Sequence, residues 1–284
     1  MPLNSVNTNM GATIALQSLN STNSMLQATQ KQISTGFRVA DATDDGAAYA
    51  VAQRVRSDVN ALTSANQQLG NAQGLLSTTN TALNNVSNMM SNARNVLVKL
   101  ADSNTQGTQR AQYIQQFNSM VSNMKTFFQD ATYSGKTLIG NIGGASGFGS
   151  IAVVRNEVAA TYGVATFSGS AFMASVSFTS TQLNGAATVA ALIGTASGAT
   201  FMNQLNSLGT AMNTYGSAST YITNQVSYNS DKIDALNNGL GSLIDADLAK
   251  ESAKLQSLQI RQQLGTQSLS IANQAPQSLL SLFK

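Results

Sequence analysis

Few side chains in this sequence are of a kind that does chemistry, and their spacing argues for structure. Asp245 and Asp247 form a D-x-D pair, a pattern that elsewhere holds a divalent cation through carboxylate oxygens. Asp44 and Asp45 stand side by side. Both pairs sit just before predicted helix starts, where a carboxylate caps free backbone N–H groups. Capping is the reading the spacing favours for each. Lys250, Glu251 and Lys254 are spaced to pair along one helix face. A catalytic lysine would need a buried pocket to shift its pKa, and long thin helices supply none. Histidine and cysteine are both absent from the 284 residues. That removes thiol nucleophiles, Cys/His zinc sites, histidine bases and the Ser-His-Asp arrangement. No catalytic, cofactor-binding or metal residue is therefore expected, and the chain is not expected to be an enzyme.

The elements around these residues carry the stronger signal. From Ala48 to Leu100 the sequence steps alternately by three and four: Ala48, Val51, Val55, Asp58, Leu62, Ala65, Leu69, Ala72, Leu76, Thr79, Leu83, Val86, Met90, Ala93, Leu97, Leu100. A second ladder runs Phe201, Leu205, Leu208, Met212, Tyr215, Ser219, Ile222, Val226, Asn229, Ile233, Leu236, Leu240, Leu243. A sustained repeat of 3.5 residues marks helices packed as a coiled coil. At 1.5 Å per residue the first ladder spans roughly 80 Å. The sequence thus predicts a mainly α fold of coiled-coil-like helical rods built from both chain ends.

Charge is sparse for such helices, at 10 % of residues, and only two glutamates occur, Glu157 and Glu251. Asn, Gln, Ser and Thr take the flanking positions. Amides and hydroxyls there suit helices that meet other protein, where unpaired charge is costly. The net charge of +3 is small and unclustered, so no nucleic-acid partner is expected. No run of eighteen apolar residues exists, so no membrane insertion is expected. The N-terminal stretch has no Lys or Arg before its apolar residues and does not read as a cleavable secretory signal.

A weaker ladder, Leu16, Leu19, Asn23, Leu26, Gln30, Ile33, Phe37, predicts a first helix ending at Gly36, a residue suited to a left-handed cap. Asp44 or Asp45 caps the next helix, which stops near Asp102–Gly107. A shorter helix carries Tyr113, Phe117, Met120, Met124, Phe127 and Ala131 on one face. From Gly140 the composition changes. Segments 150–157, 161–168 and 172–179 are β-branched or alternating and predict a small β insert. Residues 184–200 return to helix. A last helix carries two stripes, with Leu248, Leu255, Leu258 and Leu269 on one side and Ile260, Leu264 and Ile271 on the other. The layout is nested. Weak amphipathic segments at the termini enclose strong heptad helices, and these enclose the insert.

These residues resemble bacterial flagellin over roughly 1–140 and 200–284. Ile33-Ser-Thr-Gly-Phe-Arg-Val-Ala-Asp-Ala-Thr-Asp-Asp45 is similar to the flagellin signature before the first core helix. Thr132-Tyr-Ser-Gly-Lys-Thr-Leu138 resembles the turn after the second. Ile244 to Ser252, Leu264-Gly-Thr-Gln-Ser-Leu269, Ala272-Asn-Gln-Ala-Pro276 and Leu279-Leu-Ser-Leu-Phe283-Lys284 resemble the carboxyl-terminal motifs in order. The similarity is greatest to the short flagellins of α-proteobacteria.

The resemblance implies a structural subunit that polymerises into the extracellular flagellar filament used for swimming. A hook–filament junction (hook-associated) protein is the alternative, since such proteins share the terminal helices and export route. It implies three regions: 1–45 plus 244–284 as an inner terminal helical domain, 46–140 plus 196–243 as a helical-bundle core, and 141–195 as an outward-facing β insert. The implied assembly interface is Leu16, Leu19, Leu26, Ile33, Leu248, Leu255, Leu258, Ile260, Leu264, Leu269, Ile271, Leu279, Leu282 and Phe283. The implied partners are further copies of the chain, a flagellar export chaperone and the export apparatus, a filament cap and hook-associated junction proteins. A family stretch read by an innate immune receptor maps to Ser91–Val96 and Gln116. Arg94 fits it, while the key arginine and both glutamates are missing.

Overall fold

The computed structural model describes residues 9–140, 142, 148–194 and 200–282, with side chains through 274. In chain order the elements are α1 (Met10–Thr35), α2 (Gly46–Ala101), α3 (Gly107–Gln129), β1 (Ile151–Val154), β2 (Thr161–Val164), α4 (Gly169–Val176), α5 (Ser180–Asn184), α6 (Ala186–Ile193), α7 (Thr200–Ile244) and α8 (Leu248–Leu282). The fold is mainly helical, with one two-stranded antiparallel sheet near its centre. The described chain forms two compact units: Met1–Ser57 with Asp234–Lys284, and Asp58–Ile233.

Helix ends follow local chemistry. Asn9 caps α1, its side chain accepting the Ala12 N–H at 3.1 Å. Gly36 closes α1 with φ of 74°, a conformation that costs a residue with Cβ. Asp45, not Asp44, caps α2, its carboxylate accepting the N–H groups of Ala47 and Ala48 at 3.0 Å each. Thr179 and Gln182 form a reciprocal capping box on α5. Asp247 caps α8 through the N–H groups of Ala249 and Lys250. The D-x-D motif is thus a helix start, and no cluster of three or more Asp or Glu placed to share an ion occurs among the described residues.

The core of the Asp58–Ile233 unit follows the heptad seam. Leu62, Ala65, Leu69, Leu76, Thr79, Leu83, Val86, Met90, Ala93, Leu97 and Leu100 are all buried. Phe201, Leu208, Tyr215 and Ile222 of α7 are buried with them. Side chains confirm that α2 and α7 run antiparallel in one register. Gln73 donates to Thr223 at 3.1 Å and Asn229 to Asn66 at 2.8 Å. The ladder holds at Ala48 but slips at its next step, because Val51 is 53 % exposed. There Ala52 turns inward instead, with Ala48, onto Val39 and Ile244.

The insert departs from expectation in one respect. β1 and β2 pair as predicted, Ile151 with Val164 and Val153 with Tyr162, but 172–179 is not a strand. It holds α4, whose buried Phe172, Met173 and Val176 recur at helical spacing. Their fit against Phe128, at 5.5 Å between ring centroids for Phe172, outweighs the alternation of Phe172, Ala174, Val176 and Phe178. Residues 143–147 and 195–199 lie outside the described residues.

Tyr215 illustrates how the seam handles polarity. Burial pushes its phenol up to about 12, so it stays protonated, and its O–H donates a hydrogen bond to the Leu138 carbonyl at 3.3 Å. Tyr215→Phe is expected to cost about 1 kcal/mol, readable as a shift in the urea midpoint. An unchanged midpoint would show that this long bond contributes nothing.

Candidate assembly interface

Within the Met1–Ser57/Asp234–Lys284 unit, α1 and α8 pack antiparallel. The Asn9 amide donates to the Ala272 carbonyl at 2.7 Å, and Gln262 donates to Asn23 at 2.8 Å. A Cβ added at Gly265 would lie 3.2 Å from Leu19 Cδ1. These three pairs set the register, so Ile14 is level with Ile271 and Met25 with Ile260.

The connection into α2 explains the signature run. After Gly36 the chain reverses, and Phe37 pairs with Asp245 as an isolated bridge. The Arg38 N–H donates to the Ile244 carbonyl at 2.7 Å, and the Ala246 N–H to the Gly36 carbonyl at 2.9 Å. Arg56 lies over the Phe37 ring, 5.7 Å from its centroid. Lys31 reaches Asp41 at 2.6 Å and Asp44 at 2.9 Å. Hydrogen bonding to Lys31 holds both carboxyls below their usual range and raises the Lys31 ammonium.

The sign follows. A carboxyl whose folded value is lowered from 3.8 stabilises the loop at neutral pH and loses that effect as pH falls below about 4. All three groups are exposed, so the contribution is small. In Lys31→Met, the Asp44 carboxyl should titrate closer to its ordinary value. An NMR titration of its side-chain carbon checks this. An unmoved titration would remove Lys31 as the cause.

The residues expected to build an interface divide between two faces. Leu19, Leu26, Ile33, Leu255, Leu258 and Leu269 turn toward the α1–α8 seam, with Leu258 buried and the others half-buried. Leu16 and Leu248 are exposed, as are Ile260 at 58 %, Leu264 at 62 % and Ile271 at 61 %. The weak ladder holds at Leu19, Asn23, Leu26 and Ile33 and fails at Leu16 and Gln30, which are exposed. Ala12, Ala15, Thr22 and Thr29 face inward where Leu16 and Gln30 were expected. Small residues there permit the close approach of Gly265 to Leu19. The side chains of Leu279 and Leu282, and all of Phe283, lie outside the described residues.

Met10, Ile14 and Met25 are also exposed, and sequence reasoning did not single them out. Their signal was their spacing, since 10, 14 and 25 share one helical stripe. At roughly 100° per residue they fall on one flank of α1, while Ile260, Leu264 and Ile271 fall on the outer flank of α8. Six large apolar side chains, three on each helix, are thus left uncovered, more than scattered surface residues would supply.

Comparison with known proteins agrees with this architecture. Residues 6–143 match the model of the bacterial flagellin N-terminal helical region, and 193–283 match the C-terminal helical region. The chain is 33 % identical over 290 residues to flagellin FljM of Caulobacter vibrioides, covering all of both chains. It is 34 % identical over 294 residues to a Brucella melitensis flagellin, covering 99 % of each. A solved structure of a putative flagellar hook-associated protein from Vibrio parahaemolyticus superposes with a TM-score of 0.57. It covers 71 % of this chain and all of that one at 14 % identity, which is a likeness of fold alone. Full-length similarity to flagellins, with both terminal regions matched, shows that the chain belongs to the bacterial flagellin family.

Proposed function

We propose that the uncovered face of the α1–α8 pair is the surface through which successive copies of this chain pack. The chain is a structural subunit, not an enzyme, and its family self-assembles into the extracellular flagellar filament used for swimming. The hook-associated alternative is not favoured, since its support is a fold likeness only. No described helix is long and apolar enough to cross a membrane.

In this reading 1–45 with 244–284 form the innermost helical layer of the filament. Residues 46–140 with 196–243 form the layer around it, and 141–195 face outward. Leu19, Leu26, Ile33, Leu255, Leu258 and Leu269 hold each α1–α8 pair together. Leu16, Leu248, Ile260, Leu264 and Ile271, joined by Met10, Ile14 and Met25, meet neighbouring copies. The chain leaves the cell through the flagellar export apparatus with an export chaperone, adds beneath a filament cap, and joins the hook through hook-associated proteins.

The observation that carries the reading is the exposure of Ile260, Leu264 and Ile271 on a helix whose other face is already paired. Burying such a side chain is worth about 1.5–3 kcal/mol. Replacing all three by Asn is expected to raise the critical concentration for polymerisation at least about a hundredfold while leaving the monomer's circular dichroism unchanged. Sedimentation of seeded filaments measures the first. Normal polymerisation of the triple variant would move the interface elsewhere.

A further inference from the structure

We infer that Asn229 is the register key of the antiparallel α2–α7 pair, the residue that selects one alignment among the sliding alternatives a heptad seam allows. Leu62, Leu69, Leu76 and Leu83 recur every seven residues on α2, and Phe201, Leu208, Tyr215 and Ile222 recur every seven on α7, all buried. Sliding one helix by seven residues, about 10.5 Å, sets large apolar residues against large apolar residues again. Apolar burial alone therefore discriminates weakly between the native alignment and its neighbours. A helical polymer needs every copy in the same alignment.

Asn229 continues the row of Phe201, Leu208, Tyr215 and Ile222 and is 0 % exposed. Its amide nitrogen donates to Asn66 Oδ1 at 2.8 Å and to the Arg155 carbonyl at 3.0 Å, and its oxygen accepts from Gln225 Nε2 at 2.9 Å. It thus reads α2 and the β-hairpin together. The hairpin is itself pinned to α7. Tyr162 stacks on Tyr221 at 4.1 Å, and Lys232 bonds Glu157 at 2.6 Å. After a slide of seven, position 229 faces Val59 or Gln73 instead of Asn66. Val59 offers no hydrogen bond, and Gln73 is an exposed side chain engaged with Thr223. A buried amide without partners is strongly disfavoured, and a single buried Asn is known to fix alignment in coiled coils at some cost in stability.

The absence of cysteine from the chain makes introduced pairs clean reporters. Gln73→Cys with Thr223→Cys reads the native alignment. Gln73→Cys with Gly216→Cys or with Ser230→Cys reads slides of seven in either direction. Each pair is placed in the full chain, oxidised as dilute monomer, and scored as intramolecular cross-link by electrophoresis and peptide mass. With Asn229 present, only the native pair should close. With Asn229→Leu, the slipped pairs should close at least five-fold more than before, with the melting temperature equal or higher. Slipped pairs that stay at background in a folded Asn229→Leu chain would overturn the proposal. If Asn229→Leu lowers helicity, Asn66→Leu/Asn229→Leu, which removes the buried amide and its half-buried partner, carries the test on the same criteria.

Discussion

A chain ending at Leu243 is expected to fold and to form no filaments. The Asp58–Ile233 unit keeps its whole apolar cluster, from Leu69 through Phe117 and Phe201 to Ile222, when α8 is removed. Its melt should therefore stay close to that of the full chain. The loss should be confined to the helical signal of α8 and of α1, whose seam is left without a partner. That seam is weak even when intact. Thr22 and Thr29 are buried in it, the Thr29 hydroxyl has no hydrogen-bond partner, and the Asn23–Gln262 pair replaces an apolar contact. Alone, α1 cannot offset a backbone ordering cost of about 1–2 kcal/mol per residue. Filaments should vanish because Ile260, Leu264 and Ile271 go with α8. Circular dichroism of the truncated monomer and electron microscopy after seeding decide the matter. Filaments from the truncated chain would refute the proposed interface, and a collapsed melt would place α8 in the folded core.

The long helices were legible because their seams are written in large apolar residues. Leu62, Leu69, Leu76 and Leu83 declare their spacing whatever surrounds them, and all are buried. The terminal seam was only partly legible for the opposite reason. Beside Leu19, Leu26 and Ile33, its inward residues include Ala12, Ala15, Thr22, Thr29 and Gly265, which hydropathy ranks below the outward Met10, Ile14 and Leu16. Only the close approach of two backbones makes small residues the buried ones, and that approach is a property of the pair. The same holds for α4. Phe172, Val176 and Phe178 satisfy a strand's alternation, and the aromatic surface of Phe128 and Phe167 decides for helix. The signature run was recognisable as a pattern, but its physical content came from long-range contacts. Arg38 and Gly36 bond the chain near Ile244, more than 200 positions away.

The least legible residue is Arg110, and its substitution should be among the most damaging. In the sequence it reads as one more surface charge on α3. In the fold it is buried, with no carboxylate partner among the described residues. Its guanidinium instead bonds four backbone carbonyls. Nε donates to Thr105 at 2.8 Å, Nη1 to Leu183 at 2.8 Å, and Nη2 to Leu100 at 2.8 Å and Asp102 at 3.2 Å. Leu100 lies in the last turn of α2, where carbonyls lack helical partners and the dipole favours a cation. One side chain thus closes α2, starts α3 and anchors α5. In Arg110→Ala those carbonyls lose their donor at about 1–3 kcal/mol each, and water entering the vacated site offsets part of that. A net loss of about 3–5 kcal/mol is expected. Arg110→Lys should recover less than half, because a compact ammonium cannot span carbonyls set for a planar fork. Urea melts of the two variants measure both effects. A loss under about 1 kcal/mol in Arg110→Ala would show that these bonds contribute little, and full rescue by lysine would show that the site needs a positive charge and not the geometry of the fork.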